Sequence, residues 1–239
     1  MNQTNKNNGI FERNSRLHRL LSLIVIVAAL FGTWQTMTIS GQPSLRMLLY
    51  FTIQSNLWIA GIHLYFLFAE AVESRYPAYQ IRNGMRVLKY VLTVSITLTF
   101  LIFFAVLLPV LGISAIRLPG SMATHFVTPL AAISDFLLFE DKLTVQKHTV
   151  FTSLLPPLFY VSLTLILSLS GVTYSDGSSA PYFFLDYRQL GWLRIAADGI
   201  GIVYWIILLG LLVLCIGWLF LKLNARLQKD LRPDADKPL

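Results

Sequence analysis

The chain has 239 residues, 55% of them hydrophobic and only 13% charged, with a formal net charge of +7. Soluble domains carry about 25% charged residues, and the deficit here runs along the whole length, which excludes a soluble domain held by a single anchor. The basic balance does not indicate nucleic acid, because Lys and Arg collect at the ends of apolar runs, where they meet a membrane surface.

Residues 1–16 form a polar, Asn-rich tail. Arg13, Arg16 and Arg19 flank the first apolar run, 17–37. It is long for the core of a cleaved signal peptide and lacks a small-x-small cleavage site, so it is expected to stay as a helix. Further apolar runs predict helices over 47–71, 88–113, 122–139, 149–169 and 199–221, each near or above the ~18 residues that cross a bilayer. The fourth contains Pro129 and the fifth Pro156-Pro157. Proline is tolerated inside membrane helices and kinks them, which frees carbonyls for polar partners. The connection 170–198 turns aromatic at Pro181-Tyr182-Phe183-Phe184, too apolar for a solvated linker, and is expected at the membrane interface or folded into the outer mouth. Residues 224–239 form a basic tail. The class is all-α: one domain over 17–223, a polytopic membrane protein built as a bundle of six transmembrane helices. The lone Cys215 rules out an intrachain disulfide.

Orientation follows from the basic residues. Fifteen Lys and Arg fall in the N-terminal segment, the connections after the second and fourth helices and the C-terminal tail; the other four are Arg46, Arg117, Arg188 and Arg194. Both termini are therefore expected to be cytoplasmic.

Polar residues inside membrane helices are costly and usually face the bundle interior. On the second helix Thr52, Asn56 and His63 are four and seven residues apart and share a stripe. On the fourth helix His125, Thr128 and Asp135 do the same. Thr52 and His125 both lie within two turns of the outer end, and His63 and Asp135 are deeper by ~16 Å and ~15 Å. Facing stripes would give two layers: Thr52 with His125 outside, His63 with Asp135 below as a buried pair. A threonine hydroxyl needs a base to become a nucleophile, and neutral imidazole is one. Asn56 would donate to a developing oxyanion. Arg46, Arg117 and Arg188 would hold an acidic head group. Each residue also has a structural reading: Thr in a membrane helix commonly bonds the carbonyl one turn back, as expected for Thr93, Ser95, Thr97 and Thr99. No phosphate-binding loop, CxxC, HExxH or GxSxG is present, and no cofactor or metal is expected. A non-enzymatic alternative, a small transporter or lipid-binding protein with polar stripes along a path, fits the same stripes.

Three segments carry a resemblance: Tyr50-Phe51-Thr52-Ile53-Gln54-Ser55-Asn56, His125-Phe126-Val127-Thr128-Pro129 with Ser134-Asp135, and Pro181-Tyr182-Phe183-Phe184-Leu185-Asp186. Together they resemble the androgen-induced-protein family of six-helix membrane threonine hydrolases, in its bacterial branch. The resemblance implies cytoplasmic termini, a bacterial cell membrane, and cleavage of a lipid ester (a fatty-acid ester of a hydroxy fatty acid or similar) with Thr52 as nucleophile and His125 as base. Asp186 is expected to orient His125 or to cap the site. The implied partners are membrane lipids and the lipid ester, not nucleic acid.

Overall fold

The computed structural model describes residues 3–39, 41, 44–76, 78–141, 143–174, 177–197 and 199–231, with side chains between Arg16 and Lys229. Six helices are long and apolar enough to cross a membrane. They are α1 (Gln3–Thr38), α2 (Phe51–Arg75), α3 (Asn83–Leu111), α4 (Pro119–Phe139), α5 (Thr149–Leu169) and α6 (Ile202–Leu231). The only strands among the described residues are β1 (Ile195–Ala196) and β2 (Gly199–Ile200), an antiparallel ribbon ahead of α6. The fold is the expected six-helix bundle, and its outer surface is studded with exposed Leu20, Val27, Phe68, Val110 and Leu211.

Several helix boundaries depart from those that hydropathy sets. The segment expected as a tail is helical from Gln3, and the end of the basic tail, 232–239, lies outside the described residues, as does Lys142. α2 opens at Phe51, after a 3-10 turn (Leu45–Leu49) ended by extended Tyr50. α3 opens at Asn83 rather than 88, which places Arg86 inside the helix and Lys89 more than a turn from its end, both buried. α6 continues well past 221.

α3 is the most enclosed helix and packs against α2, α4, α5 and α6, while α1 packs on α2 and α4. α1 and the opening of α4 approach closely because both carry glycine there. A Cβ on Gly32 would overlap Thr124, and one on Gly120 would overlap Gln35; small residues let membrane helices meet in this way. One core cluster joins Phe51, Tyr90, Phe136, Tyr160 and Phe220 to Tyr182, Phe184 and Leu185 of the long connection. That connection thus folds into the mouth of the bundle at the end where α2, α4 and α6 begin. A second cluster, with Val25, Ile59, Phe66, Ile96 and Ala132, joins α1 to α4.

Two helices carry a π turn directly before a proline. In α3 the turn is Phe103–Leu107 with Pro109 following, and in α4 it is Ala123–Val127 with Pro129 following. Such single-turn bulges are rare and often mark functional sites. In α4 the Thr128 N–H bonds to the Ala123 carbonyl, five residues back. The next bond in that register would run from residue 129 to the Thr124 carbonyl, and proline has no N–H to give.

Candidate functional site

The site begins where Tyr50 interrupts the chain and α2 starts. The first N–H groups of a helix have no partner within it. The Thr52 N–H donates instead to the phenol oxygen of Tyr182, at 3.2 Å, and Thr52 Oγ1 lies 3.2 Å from the same oxygen. The carbonyl one turn back from Thr52, that of Leu48, is taken by Gln54 Nε2 at 2.9 Å. Thr93, Ser95, Thr97, Thr99 and Thr124 all bond the carbonyl four residues back, as expected of packing hydroxyls. Thr52 does not; its hydroxyl points sideways.

Across from it, the Pro129-freed carbonyl of Thr124 finds a donor. Asn56 Nδ2 bonds it at 3.2 Å and bonds the Thr52 carbonyl at 2.8 Å. Asn56 therefore ties the opening of α2 to the π turn that holds His125, and the two helix openings do face each other. Asn56 Oδ1 is buried without a hydrogen-bond partner. The extra residue of the π turn rotates His125 off the strict helical stripe. Thr128 and Asp135 are fully buried, while His125 is only partly so. Its ring stacks on Phe103 of the other π turn, with centroids 3.8 Å apart and planes 12° from parallel. His125 Nδ1 has no hydrogen-bond partner.

Thr52, His125 and Tyr182 line one cavity of about 680 Å³ between the outer ends of α1, α2, α3 and α4. That is within the range of small-molecule sites. Thr52 and His125 share the cavity but not a hydrogen bond. Arg46, Arg117 and Arg188 are exposed and are not among its lining residues.

Asp186 does not orient His125. Its carboxylate accepts from Ser179 Oγ at 2.6 Å, from the Ser179 N–H at 3.2 Å, and from the Arg188 and Gln189 N–H groups at 3.0 and 3.3 Å. It caps the short helix Tyr187–Leu190. Burial works against the charged form, but these four donors outweigh it and hold the carboxyl below its usual range. Asp186 thereby folds the loop that delivers Tyr182. Burial pushes the Tyr182 phenol up to about 12, against the lowering influence of the Thr52 contacts, so the phenol keeps its proton at neutral pH. Tyr182 is the site residue that sequence reasoning missed. Its signal was the aromatic run itself, too apolar to stay in water.

The deeper layer is also built differently from the expected pair. His63 Nδ1 bonds Ser22 Oγ at 3.1 Å and is 3.9 Å from Asp135 Oδ2. Asp135 pairs instead with Lys89 Nζ at 2.8 Å and His18 Nδ1 at 2.5 Å. His18 continues to Glu70 at 2.9 Å, Lys89 to Glu140 at 3.5 Å, and Arg86 to Glu140 at 2.7 Å. Asn224 of α6 donates to the Phe136 and Glu140 carbonyls at 3.2 and 2.9 Å, closing the end of α4. Buried charges must be paired, and this set is: three carboxylates face Lys89, Arg86 and His18. His18, Lys89 and Glu140 escaped the sequence reading because hydropathy places them at helix ends, where charge is ordinary. No group of three or more His, Cys, Asp or Glu among the described residues is arranged to hold a metal ion.

Comparison of the chain with protein-family profiles, with characterised proteins and with solved structures finds no match.

Proposed function

We propose that the chain is an integral membrane hydrolase of a lipid ester, with Thr52 as nucleophile and His125 as general base, working from the outer leaflet of a bacterial cell membrane. The observation that carries the reading is the Thr52 hydroxyl. It is withheld from the carbonyl one turn back, held by Tyr182, and set in the wall of a cavity that His125, whose Nδ1 is buried without a hydrogen-bond partner, also lines. The resemblance of the three segments to membrane threonine hydrolases supports the same roles.

In this reading the Tyr182 phenol, whose oxygen accepts from the Thr52 N–H, donates its own proton to Thr52 Oγ1, and the threonine proton is left for a base. Thr52 Oγ1 attacks the ester carbonyl while its proton passes across the cavity to His125, directly once substrate closes the gap or through a water; such contacts are commonly long before substrate binds. The protonated imidazole then gives that proton to the departing alcohol. Water attacks the threonyl ester, again with His125 as base, and the acid leaves as Thr52 is regenerated.

The alternative is a transport path along the stripes. Asn56, Ile59, Ala132 and His63 have no solvent exposure and separate the outer cavity from the charged layer, which favours a closed pocket over a path. The test is labelling of the protein in lipid nanodiscs by a fluorophosphonate probe, with ester hydrolysis measured in parallel. Labelling and hydrolysis should be lost in Thr52→Ala and His125→Ala and survive in Thr52→Ser. A Thr52→Ala protein that hydrolyses as well as wild type overturns the proposal.

A further inference from the structure

Thr52 stands in the wall between two cavities. Beside the wide outer cavity runs a narrow slot between α3, α5 and α6 and beneath the aromatic loop, and both spaces are bounded by Thr52, Leu107 and Tyr182. The slot is tight, about 70 Å³ against 680 Å³ for the outer cavity, and apolar for most of its length. Of its hydroxyls, that of Thr99 bonds Ser55 and the Ser95 carbonyl, and that of Tyr182 is committed to Thr52.

Its depth follows from the helices that line it. Gly210 is eight residues below the outer end of α6, ~12 Å at the helical rise. Leu154 is five residues from the opposite end of α5. The slot therefore leads from Thr52 down into the bilayer. It exists because α6 meets α5 at its first turn, residues 149–152. Below the slot Gly217 sits so near Tyr90 and Ser153 that no side chain fits there. The α5 helix is interrupted at Ser153 and Leu154, ahead of Pro156-Pro157. Higher up, glycine at 210 leaves space: a Cβ there would meet only Leu154, at an ordinary 3.9 Å.

We infer that this slot is an acyl-chain site. It takes the single hydrocarbon tail of the acid half of the substrate, with the ester carbonyl at Thr52 and the alcohol half in the wide outer cavity. Gly210 and Leu154 then set the length of tail accepted. The inference rests on the hydrolase reading for the placement of the carbonyl, but the slot as a site for a fatty tail has a readout of its own.

Two measurements on the protein in nanodiscs separate them. The first is quenching by dibromopalmitate of Trp205, which packs on Phe184 of the slot wall with ring centroids 5.6 Å apart, in a background where Trp34, Trp58, Trp192 and Trp218 are replaced by Phe. The second is the ratio of palmitoyl to butyryl ester hydrolysis. Gly210→Phe fills the slot from α6 and Leu154→Phe narrows it from α5; Gly210→Ala is the control for folding. The filled variants should lose at least tenfold in dibromopalmitate affinity and in the palmitoyl-to-butyryl ratio, with butyryl hydrolysis kept within about threefold. Thr52→Ala should bind dibromopalmitate like wild type. If no variant hydrolyses differently from Thr52→Ala, the hydrolase reading falls while the quenching still decides the slot. Dibromopalmitate binding unchanged in both folded, filled variants overturns the acyl site.

Discussion

Asn56 Nδ2 donates at 3.2 Å to the carbonyl of Thr124, the one backbone oxygen whose partner in the π register would have been Pro129. A proline on one helix and an amide on another thus form one joint. Removing the amide leaves that carbonyl buried without a donor, which costs about 1–3 kcal/mol. Asn56→Leu should lower stability by this amount in mixed-micelle denaturant titrations and let the two helix openings drift apart. Asn56→Ser should fall between it and wild type, because a hydroxyl is too short to span both carbonyls.

Tyr182→Phe isolates one hydroxyl. The ring contacts stay, since Phe stacks equally well on Phe184 (5.3 Å, planes 1° apart) and edge-on against Tyr50 (5.9 Å). Thr52 then loses its outer partner and its proton is no longer directed to a base. A hydrogen bond of this kind is worth about 0.5–1.5 kcal/mol, roughly a twofold to tenfold drop in kcat by the rate relation. Steady-state ester hydrolysis should show this drop with little change in KM. An unchanged kcat would remove Tyr182 from the mechanism.

The outer layer was legible in the sequence because its residues break a pattern. Thr52, Asn56 and His125 are polar where lipid-facing residues should be apolar, and counting turns puts Thr52 and His125 at equal depth. Tyr182 was not legible, because its partner lies 130 residues away and nothing local selects one tyrosine from an aromatic run. The deeper layer failed for a different reason. His63 and Asp135 do lie at one level, but Asp135 carries a charge, and a buried charge selects the strongest opposite charge within reach. Lys89 was that charge, passed over because it stood second in the expected helix 88–113, where a basic residue is ordinary. The π turns were also invisible to a count at 3.6 residues per turn, although Pro109 and Pro129 stand behind both.

Asp186 gives the outer loop a pH dependence whose sign is fixed. Its folded carboxyl titrates below the unfolded one, because the Ser179, Arg188 and Gln189 donors outweigh the effect of burial. Such a group adds stability at pH values above the ordinary carboxylate range and loses it as the pH falls through the folded value. Asp186→Asn should therefore lower the thermal midpoint most at neutral pH. The gap to wild type should close as the pH is lowered through and below the carboxylate range. Ser179→Ala should show the same trend at smaller amplitude. Protease nicking in the loop at neutral pH should rise in both variants. A gap independent of pH would mean that the Asp186 charge does not organise the loop.

The buried charges of the deeper layer make the most demanding prediction. Lys89 and Asp135 are both essentially without solvent exposure, so each is tolerable only because the other is present. Removing one partner of such a pair costs about 3–5 kcal/mol, whereas replacing both by apolar groups of similar size is often neutral or stabilising. Lys89→Met should destabilise strongly, since Asp135 would be left to His18. Asp135→Leu should do the same by stranding Lys89 on Glu140. The double variant should recover most of the loss, giving a coupling energy in a double-mutant cycle of about 2 kcal/mol or more. The layer lies below the sealed level of Asn56 and Ala132, so the recovered double variant should hydrolyse esters like wild type. A recovered fold with abolished hydrolysis would assign the charged layer to the reaction instead of to the frame that holds α1, α2, α3 and α4 together.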